Sequence, residues 1–487
     1  MTTPVSPAPW CGSCWSTSMP NSIPKIAVVG GGVAGLATAW LMAELGREAG
    51  RRAEITVFEA LPEPGGATRT DIMEGFTCEW GPNGFLDNEP ATLDLVARLG
   101  LTDRLVKADE SAGRRFIYWG GKMRELPTKP PAFLVSDILP WPAKLRVAGE
   151  ILVPAKRNGA EETVYSFGRR RLGRGFADLL LDPMVSGIFA GDTRELSLEA
   201  VFPKMVAMER EYGGLFRALI AKSREAKRTG RKMGGPSGAN AVLHTFREGM
   251  GELTAALASR LAGALRLASP VQALEVRDGG FLLRLENETV PADAVVLACP
   301  SWAAAEIIAG LDPDAAQAAG RIWHAPVDVV CHGHPAPNLG HDLHGFGVLV
   351  PRSEGLRALG SLWSDSIFPG QAPAGMKLLR TILGGAHDPA IAELSDAELE
   401  RTAHRNHEQM FGVRAEPAFR RVFRHPRGIA QYTLGHLGRV AQTERLEREL
   451  PGLYFTGASY RGVSVNGCAK DAFRVARAFW DQWGARS

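Results

Sequence analysis

The sequence predicts an α/β fold with α+β inserts, built on a parallel sheet whose strands come from three separated pieces of chain. Three observations carry this. A short apolar strand at 26–29 runs straight into a glycine-rich turn and then a helix. Two further buried-strand patterns, at 294–300 and 453–455, each end in a turn far downstream. The stretches between them differ in character: 129–245 holds several helical runs, while 303–423 holds strand-like runs at 327–330, 347–350 and 378–383.

In chain order, the strand Ile26-Ala27-Val28-Val29 leads into Gly30, Gly32 and Gly35, with Gly31, Val33 and Ala34 between them. Gly-x-Gly-x-x-Gly between a strand and a helix lets backbone approach a pyrophosphate and aims the helix N-terminus at its charge. The helix over 33–45 places Leu36, Ala39 and Trp40 on one stripe. A second strand, 55–58, ends at Glu59, followed by Ala60. A carboxylate there accepts both ribose hydroxyls and repels a 2′-phosphate. The polar insert 46–54 sets Glu59 slightly further past Gly35 than is usual. A second pair, Gly65-Gly66, makes FAD the expected ligand over NAD, since backbone must pass close to the flavin's phosphate and ribityl side. Downstream, 247–253 introduces a helix, 265–276 and 281–285 read as a hairpin, and 465–473 reads as a second helix start.

At 487 residues the chain is long enough for two or three domains. A net charge of +3 does not argue for nucleic acid. No run of 18 apolar residues exists, so no spanning helix is expected. The six cysteines are too scattered for a disulfide framework, and Cys78, Cys299, Cys331 and Cys468 read as reduced residues of a cytosolic protein. Residues 1–24 carry no charged side chain and read as a disordered extension. Their Cys11-Gly12-Ser13-Cys14 lacks the strand and helix that a redox motif needs, and Met19 is an alternative start. The basic runs 167–174 and 222–232 read as solvated surface or as a patch facing anionic lipid, the second ending in a mobile loop at 234–238. His332, His334, His341 and His344 fall in a Pro/Gly-rich stretch read as a loop, so no metal is expected.

Several blocks outside the glycine turn carry a more specific likeness: Gly81-Pro82-Asn83-Gly84-Phe85, Arg115-Phe116-Ile117-Tyr118, and Gly187-Ile188-Phe189-Ala190-Gly191-Asp192. So do Gly345-Phe346-Gly347-Val348-Leu349-Val350-Pro351, Gln431-Tyr432-Thr433-Leu434-Gly435-His436, and 457–466. In this order the chain resembles the protoporphyrinogen oxidase family, FAD-dependent porphyrinogen oxidases within the amine-oxidase-like flavoprotein superfamily. The resemblance implies a Rossmann-like FAD-binding domain from 25–108, 246–302 and 424–487. It implies a substrate domain from 109–128 and 303–423, and a mainly helical, membrane-associated insert at 129–245. It places Gly30, Gly31, Gly32, Val33, Ala34, Gly35, Glu59, Ala60, Gly66, Gly81, Pro82, Asn83, Gly84, Val271, Leu437, Val463, Ser464 and Val465 at FAD. Arg115 would bind a substrate propionate, Phe346, Leu349 and Ile382 would line the macrocycle slot, and Gly187 would stand at its mouth. Ala67, Ala430, Leu437 and Gly467 depart from the family pattern.

The implied reaction is oxidation of protoporphyrinogen IX to protoporphyrin IX with molecular oxygen, coproporphyrinogen III being the alternative substrate. The flavin carries the chemistry, so no catalytic side chain and no metal is expected. The membrane surface, a second copy of the chain and ferrochelatase are the partners the resemblance admits, with a cytoplasmic, peripheral location and no nucleic acid. Competing readings are a phytoene-desaturase or amine-oxidase relative, the amine oxidases wanting an aromatic pair that 431–436 does not offer, and a GDP-dissociation-inhibitor-like binder, which the intact glycines and Glu59 oppose.

Overall fold

The computed structural model describes residues 23–127, 130–229, 241–413 and 415–486. The expected readings of residues 1–22 and of the loop at 234–238 lie outside the described residues.

The core is a five-stranded, all-parallel sheet. Its order is Leu265–Arg266, Glu54–Phe58, Lys25–Val29, Ala294–Leu297, Leu453–Phe455. Three pieces of chain therefore meet in one sheet. Its central strands are buried on both faces, which accounts for their unbroken apolar character. Ile26 and Val28 pack on one side, with the helices Val33–Glu48 and Val465–Arg486. Ala27 and Val29 pack on the other, with helices Ser301–Ile308 and Pro313–Gly320. The two flanking helices on the first side are locked together: Trp480 Nε1 donates to the Met42 carbonyl at 2.8 Å, and the ring lies where a Cβ on Gly46 would clash.

A seven-stranded sheet forms the second layer system. Its order is Phe419–Ala430, His324–Pro335, Met376–Gly384, Ala358–Trp363, Gly347–Leu349, Phe116–Trp119, Lys122–Glu125. One face carries Val330, Val348, Trp363, Leu379 and Leu383 and packs on the helix Asp396–Phe411. The alternate residues Arg380 and Ile382 face the other way, toward the nucleotide-binding half.

The structure corrects several readings. Leu265 belongs to the edge of the parallel sheet, and the hairpin is Ala273–Arg277 with Gly280–Arg284. Its turn, Asp278-Gly279, has φ of 51° and 77°, the pair of left-handed residues a tight hairpin requires. The division expected at 424 falls inside the continuous strand Phe419–Ala430. That at 245 falls inside Leu243–Phe246, which pairs with Phe85–Leu86 and Leu105–Lys107. His332 and His334 lie in the buried strand His324–Pro335 rather than a loop.

The basic run 167–174 is not a uniform solvated face. Helix Val164–Leu172 turns Arg171 inward beside Phe167 and Gly168, where it is fully buried. There it pairs with Glu150 and, at 2.9 Å, with Glu209, while Arg170 pairs with Glu162 and Glu209. Arg169 and Arg174 remain exposed. The insert instead displays apolar side chains: Leu134, Val135, Trp141, Leu145 and Leu152 are all exposed, Val135 at 85%. Among the described residues no helix is long and apolar enough to cross a membrane.

Candidate active site

The glycine turn forms a cradle of backbone. Gly30 has φ +112°, and a Cβ there would press on the Ala298–Cys299 peptide at 2.9 Å. A Cβ on Gly35 would sit 1.9 Å from the Gly30 carbonyl oxygen, so the helix approaches the strand only because that position is bare. Gly32 differs: its Cβ would meet nothing within 4 Å. It caps helix Val33–Glu48 without any side-chain hydrogen bond. Open space at an uncapped helix start is where a pyrophosphate fits. Gly65 closes the other side, pairing with Gly32 as a bridge and donating its N–H to the Gly31 carbonyl at 2.8 Å, with Gly66 alongside at φ +57°.

Glu59 is buried, with each oxygen held by a backbone donor: Gly31 N–H at 2.6 Å and Leu61 N–H at 2.8 Å. This fixes the carboxylate while leaving lone pairs free for ribose hydroxyls. Ala60 is exposed beside it. The Ser269 N–H donates to the Glu59 carbonyl at 2.8 Å, which brings the segment of Val271 to the same edge.

The Gly81–Gly84 block lies across the cradle. Cβ atoms on Gly81 and Gly84 would strike the carbonyls of Ala67 and His244 at 2.4 and 2.6 Å. Buried Arg380 donates to the carbonyls of Glu79 and Gly81. Asn83 Oδ1, next to Pro82, is buried without a hydrogen-bond partner, as a group awaiting a ligand would be. The residues present therefore fit a bound dinucleotide.

The Gln431–His436 block holds the last loop in place. The Tyr432 and His436 rings stack at 3.9 Å. Tyr432 Oη donates to the Ala458 carbonyl and accepts from Gly462 N–H, and His436 Nε2 binds the Tyr460 carbonyl. Burial pushes His436 down to about 4, so it stays neutral. Behind this loop Val463 packs between the core and the insert, Ser464 accepts from Gly467 N–H at 3.1 Å, and Val465 is buried at the helix start. Leu437, in contrast, is 45% exposed on the first turn of helix His436–Glu449. Gln431 Nε2 donates to the Phe189 carbonyl, joining this block to Ala190-Gly191-Asp192.

The slot residues come together on the sheet face opposite helix Asp396–Phe411. Leu349, Gly360 and Ile382 stand in register across three strands. Gly187 lies against them, since its Cβ would meet Leu349 Cδ2 at 2.7 Å. Phe346 precedes the strand of Leu349 and packs with Leu362 and Phe368, and the Arg115 guanidinium stacks over its ring at 5.2 Å. Arg115 is exposed and makes no ion pair among the described residues. The neighbouring arginines are all engaged: Arg114 with Glu125, Arg124 with Asp137, and Arg352 with Asp182 and Asp192. Arg114, the preceding residue, is half-buried and also donates to the His344 carbonyl.

Sequence reading missed three parts: the roles of Arg380 and of the Tyr432–His436 stack, and the cluster in which Thr193 and Arg352 hold Asp182 while His387 sits beside it at 3.9 Å, pushed to about 4 by burial. The diagnostic blocks signalled where these lie but not what they hold.

Comparison with known proteins agrees with this geometry. Residues 33–479 match the family of flavin containing amine oxidoreductases. A chloroplastic protoporphyrinogen oxidase from Oryza sativa subsp. japonica is 32% identical over 93% of this chain and 88% of its own. A coproporphyrinogen III oxidase from Bacillus subtilis is 28% identical over 91% of this chain and 95% of its own. In fold, a crystal structure from Exiguobacterium sp. 255-15, provisionally assigned as a protoporphyrinogen oxidase, superposes with TM-score 0.80 at 24% identity, covering 95% of this chain and 99% of that one. Reduced UDP-galactopyranose mutase superposes with TM-score 0.70 at 16% identity, covering 95% and 96%, so the fold by itself does not choose a substrate.

Proposed function

This chain belongs to the flavin containing amine oxidoreductase family and carries FAD, and we propose that it oxidises protoporphyrinogen IX to protoporphyrin IX with molecular oxygen. The observation that supports this most is Arg115, a cation without an ion pair among the described residues, stacked on Phe346 beside the apolar row Leu349–Ile382.

Bound FAD supplies a two-electron acceptor for hydride from a bridge carbon of the macrocycle. The chain's own residues bind and orient. Gly32 and the first turn of helix Val33–Glu48 hold the pyrophosphate, Glu59 the ribose and Val271 the adenine edge. Gly81–Gly84 and Val463–Val465 flank the ring. Leu349, Ile382 and Phe346 take the macrocycle, Gly187 leaves the mouth open, and Arg115 takes one propionate by a bidentate contact. Three two-electron oxidations balance as porphyrinogen plus three O2 giving porphyrin plus three hydrogen peroxide. One arginine left without an ion pair among the described residues, beside an apolar row, favours the substrate with fewer propionates, so protoporphyrinogen is preferred to coproporphyrinogen III.

Membrane attachment is part of the same reading. It rests on the exposed Val135, Trp141, Leu145 and Leu152 of the insert, which suit shallow insertion at a headgroup boundary. A second copy of the chain and ferrochelatase are the further partners it admits. The test is porphyrin fluorescence from both porphyrinogens, side by side in air. Faster turnover of protoporphyrinogen supports the proposal, preference for coproporphyrinogen III replaces its substrate, and oxidation of neither overturns it.

A further inference from the structure

The helix-facing side of the seven-stranded sheet holds a second constellation, remote from the slot. His332 and His334 project to one side of strand His324–Pro335, and His407 meets them from helix Asp396–Phe411. All three are fully buried. Their ring centroids are 5.3 to 6.0 Å apart, and one nitrogen from each lies within 4.8 Å of the others. Both ring nitrogens of His332 and of His334, and Nδ1 of His407, lack a hydrogen-bond partner. Buried polar atoms are normally satisfied, so three unpartnered imidazoles that each bring one nitrogen to a common point call for a group that accepts lone pairs.

The outer hydrogen bond of His407 fixes its tautomer. Thr381 Oγ1 donates to Ser361 Oγ at 3.2 Å and therefore accepts from His407 Nε2–H at 2.6 Å. That leaves His407 Nδ1, buried and without a partner, with a free lone pair, and an outer hydrogen bond of this kind is how proteins orient a metal-ligating imidazole. Beside them opens a cavity of about 190 Å³ whose lining includes His332, His404, Glu416 and Arg420. It has room for water, and the Arg420 charge is offset by Glu416.

We propose that His332, His334 and His407 form a structural site for one divalent transition-metal ion, zinc by preference, with a water from the adjacent cavity as fourth ligand. Three imidazoles without a carboxylate disfavour calcium and magnesium. Tetrahedral zinc at its usual bond length sets the nitrogens about 3.3 Å apart, so the ion would draw together nitrogens that lie within 4.8 Å of one another in its absence. The site lies behind the sheet: Thr381 points to it while the adjacent Arg380 and Ile382 point to the cofactor and slot. Its ion ties helix Asp396–Phe411 to strand His324–Pro335 and takes no part in the oxidation.

The experiment is a zinc and cobalt titration of the FAD-loaded, chelator-stripped protein. The expected result is one equivalent of zinc retained through gel filtration, a higher melting temperature, and cobalt d–d absorption at wavelengths beyond the flavin bands. His334→Gln and His407→Gln should lose that equivalent, whereas His344→Ala, outside the cluster, should keep it. Wild-type protein that retains no zinc and shows no thermal shift overturns the proposal, independently of whether any variant folds. So does equal retention by His334→Gln and wild type.

Discussion

The two halves of the candidate site are built by opposite means. At the parallel sheet the atoms that line it are mostly backbone: bare glycines and a helix start without a side-chain cap, beside the Glu59 carboxylate pinned by two N–H donors. At the seven-stranded sheet they are side chains that meet only because strands distant in sequence lie in register. Charge is also handled oppositely within the second half and its insert. Arg171 is buried and paired on two sides, while Arg115 is left free over an aromatic ring. Backbone recognition tolerates almost no added atom, whereas side-chain recognition degrades by degrees.

The largest effects should follow from adding atoms to the cradle. Gly35→Val drives a side chain into the Gly30 carbonyl, and folded protein should not be recovered on gel filtration. Gly32→Val meets only open space. It should melt like flavin-stripped wild type yet lose at least about tenfold in FAD content by absorbance. Next, Arg171→Met removes one partner of a buried ion pair and should cost about 3–5 kcal/mol in denaturant unfolding, whereas exposed Arg169→Met should stay within about 0.5 kcal/mol. Arg115→Ala comes third: an exposed cation that substrate only partly desolvates should lower kcat/KM about tenfold, roughly 1–2 kcal/mol, mostly through KM, with the flavin spectrum intact.

Acid should act more gently, and on the cofactor half. His324 Nε2 accepts from Ser459 Oγ and His436 donates to the Tyr460 carbonyl, so both hold the loop after Gly457. Burial pushes each to about 4. Between about pH 6.5 and 4 the unfolded chain binds these protons and the folded chain does not. The stability these two histidines contribute is therefore complete above that window and lost as pH falls through it, each taking up about one proton on unfolding near pH 5. Free-flavin fluorescence should rise over the same interval; release independent of pH there would remove these histidines from the loop's support.

How much could be read in advance follows the same divide. The geometry of the cradle was legible because the glycine turn and Glu59 lie within one strand–turn–helix–strand unit, where local sequence sets the backbone. Arg115, Phe346, Leu349 and Ile382 were reachable only through resemblance, because nothing local marks residues that converge by strand register. The run 167–174 was misread because composition does not reveal which helix face turns inward. His332 and His334 were misread because Pro326, Gly333 and Pro335 look like loop residues. In the structure Pro326 sits at a bulge, Pro335 ends the strand, and a Cβ on Gly333 would strike Phe76 at 2.6 Å.

The most direct measurement of the central account is anaerobic mixing of protoporphyrinogen with the FAD-loaded enzyme, following flavin absorbance and porphyrin fluorescence together. The account predicts that the flavin bleaches on anaerobic mixing, that porphyrin fluorescence follows once oxygen is admitted to turn the flavin over three times, and that Arg115→Ala shifts the substrate concentration at half-maximal bleaching rate upward about tenfold while leaving the limiting rate nearly unchanged. Flavin that stays oxidised, or bleaching whose concentration dependence ignores Arg115, would contradict it.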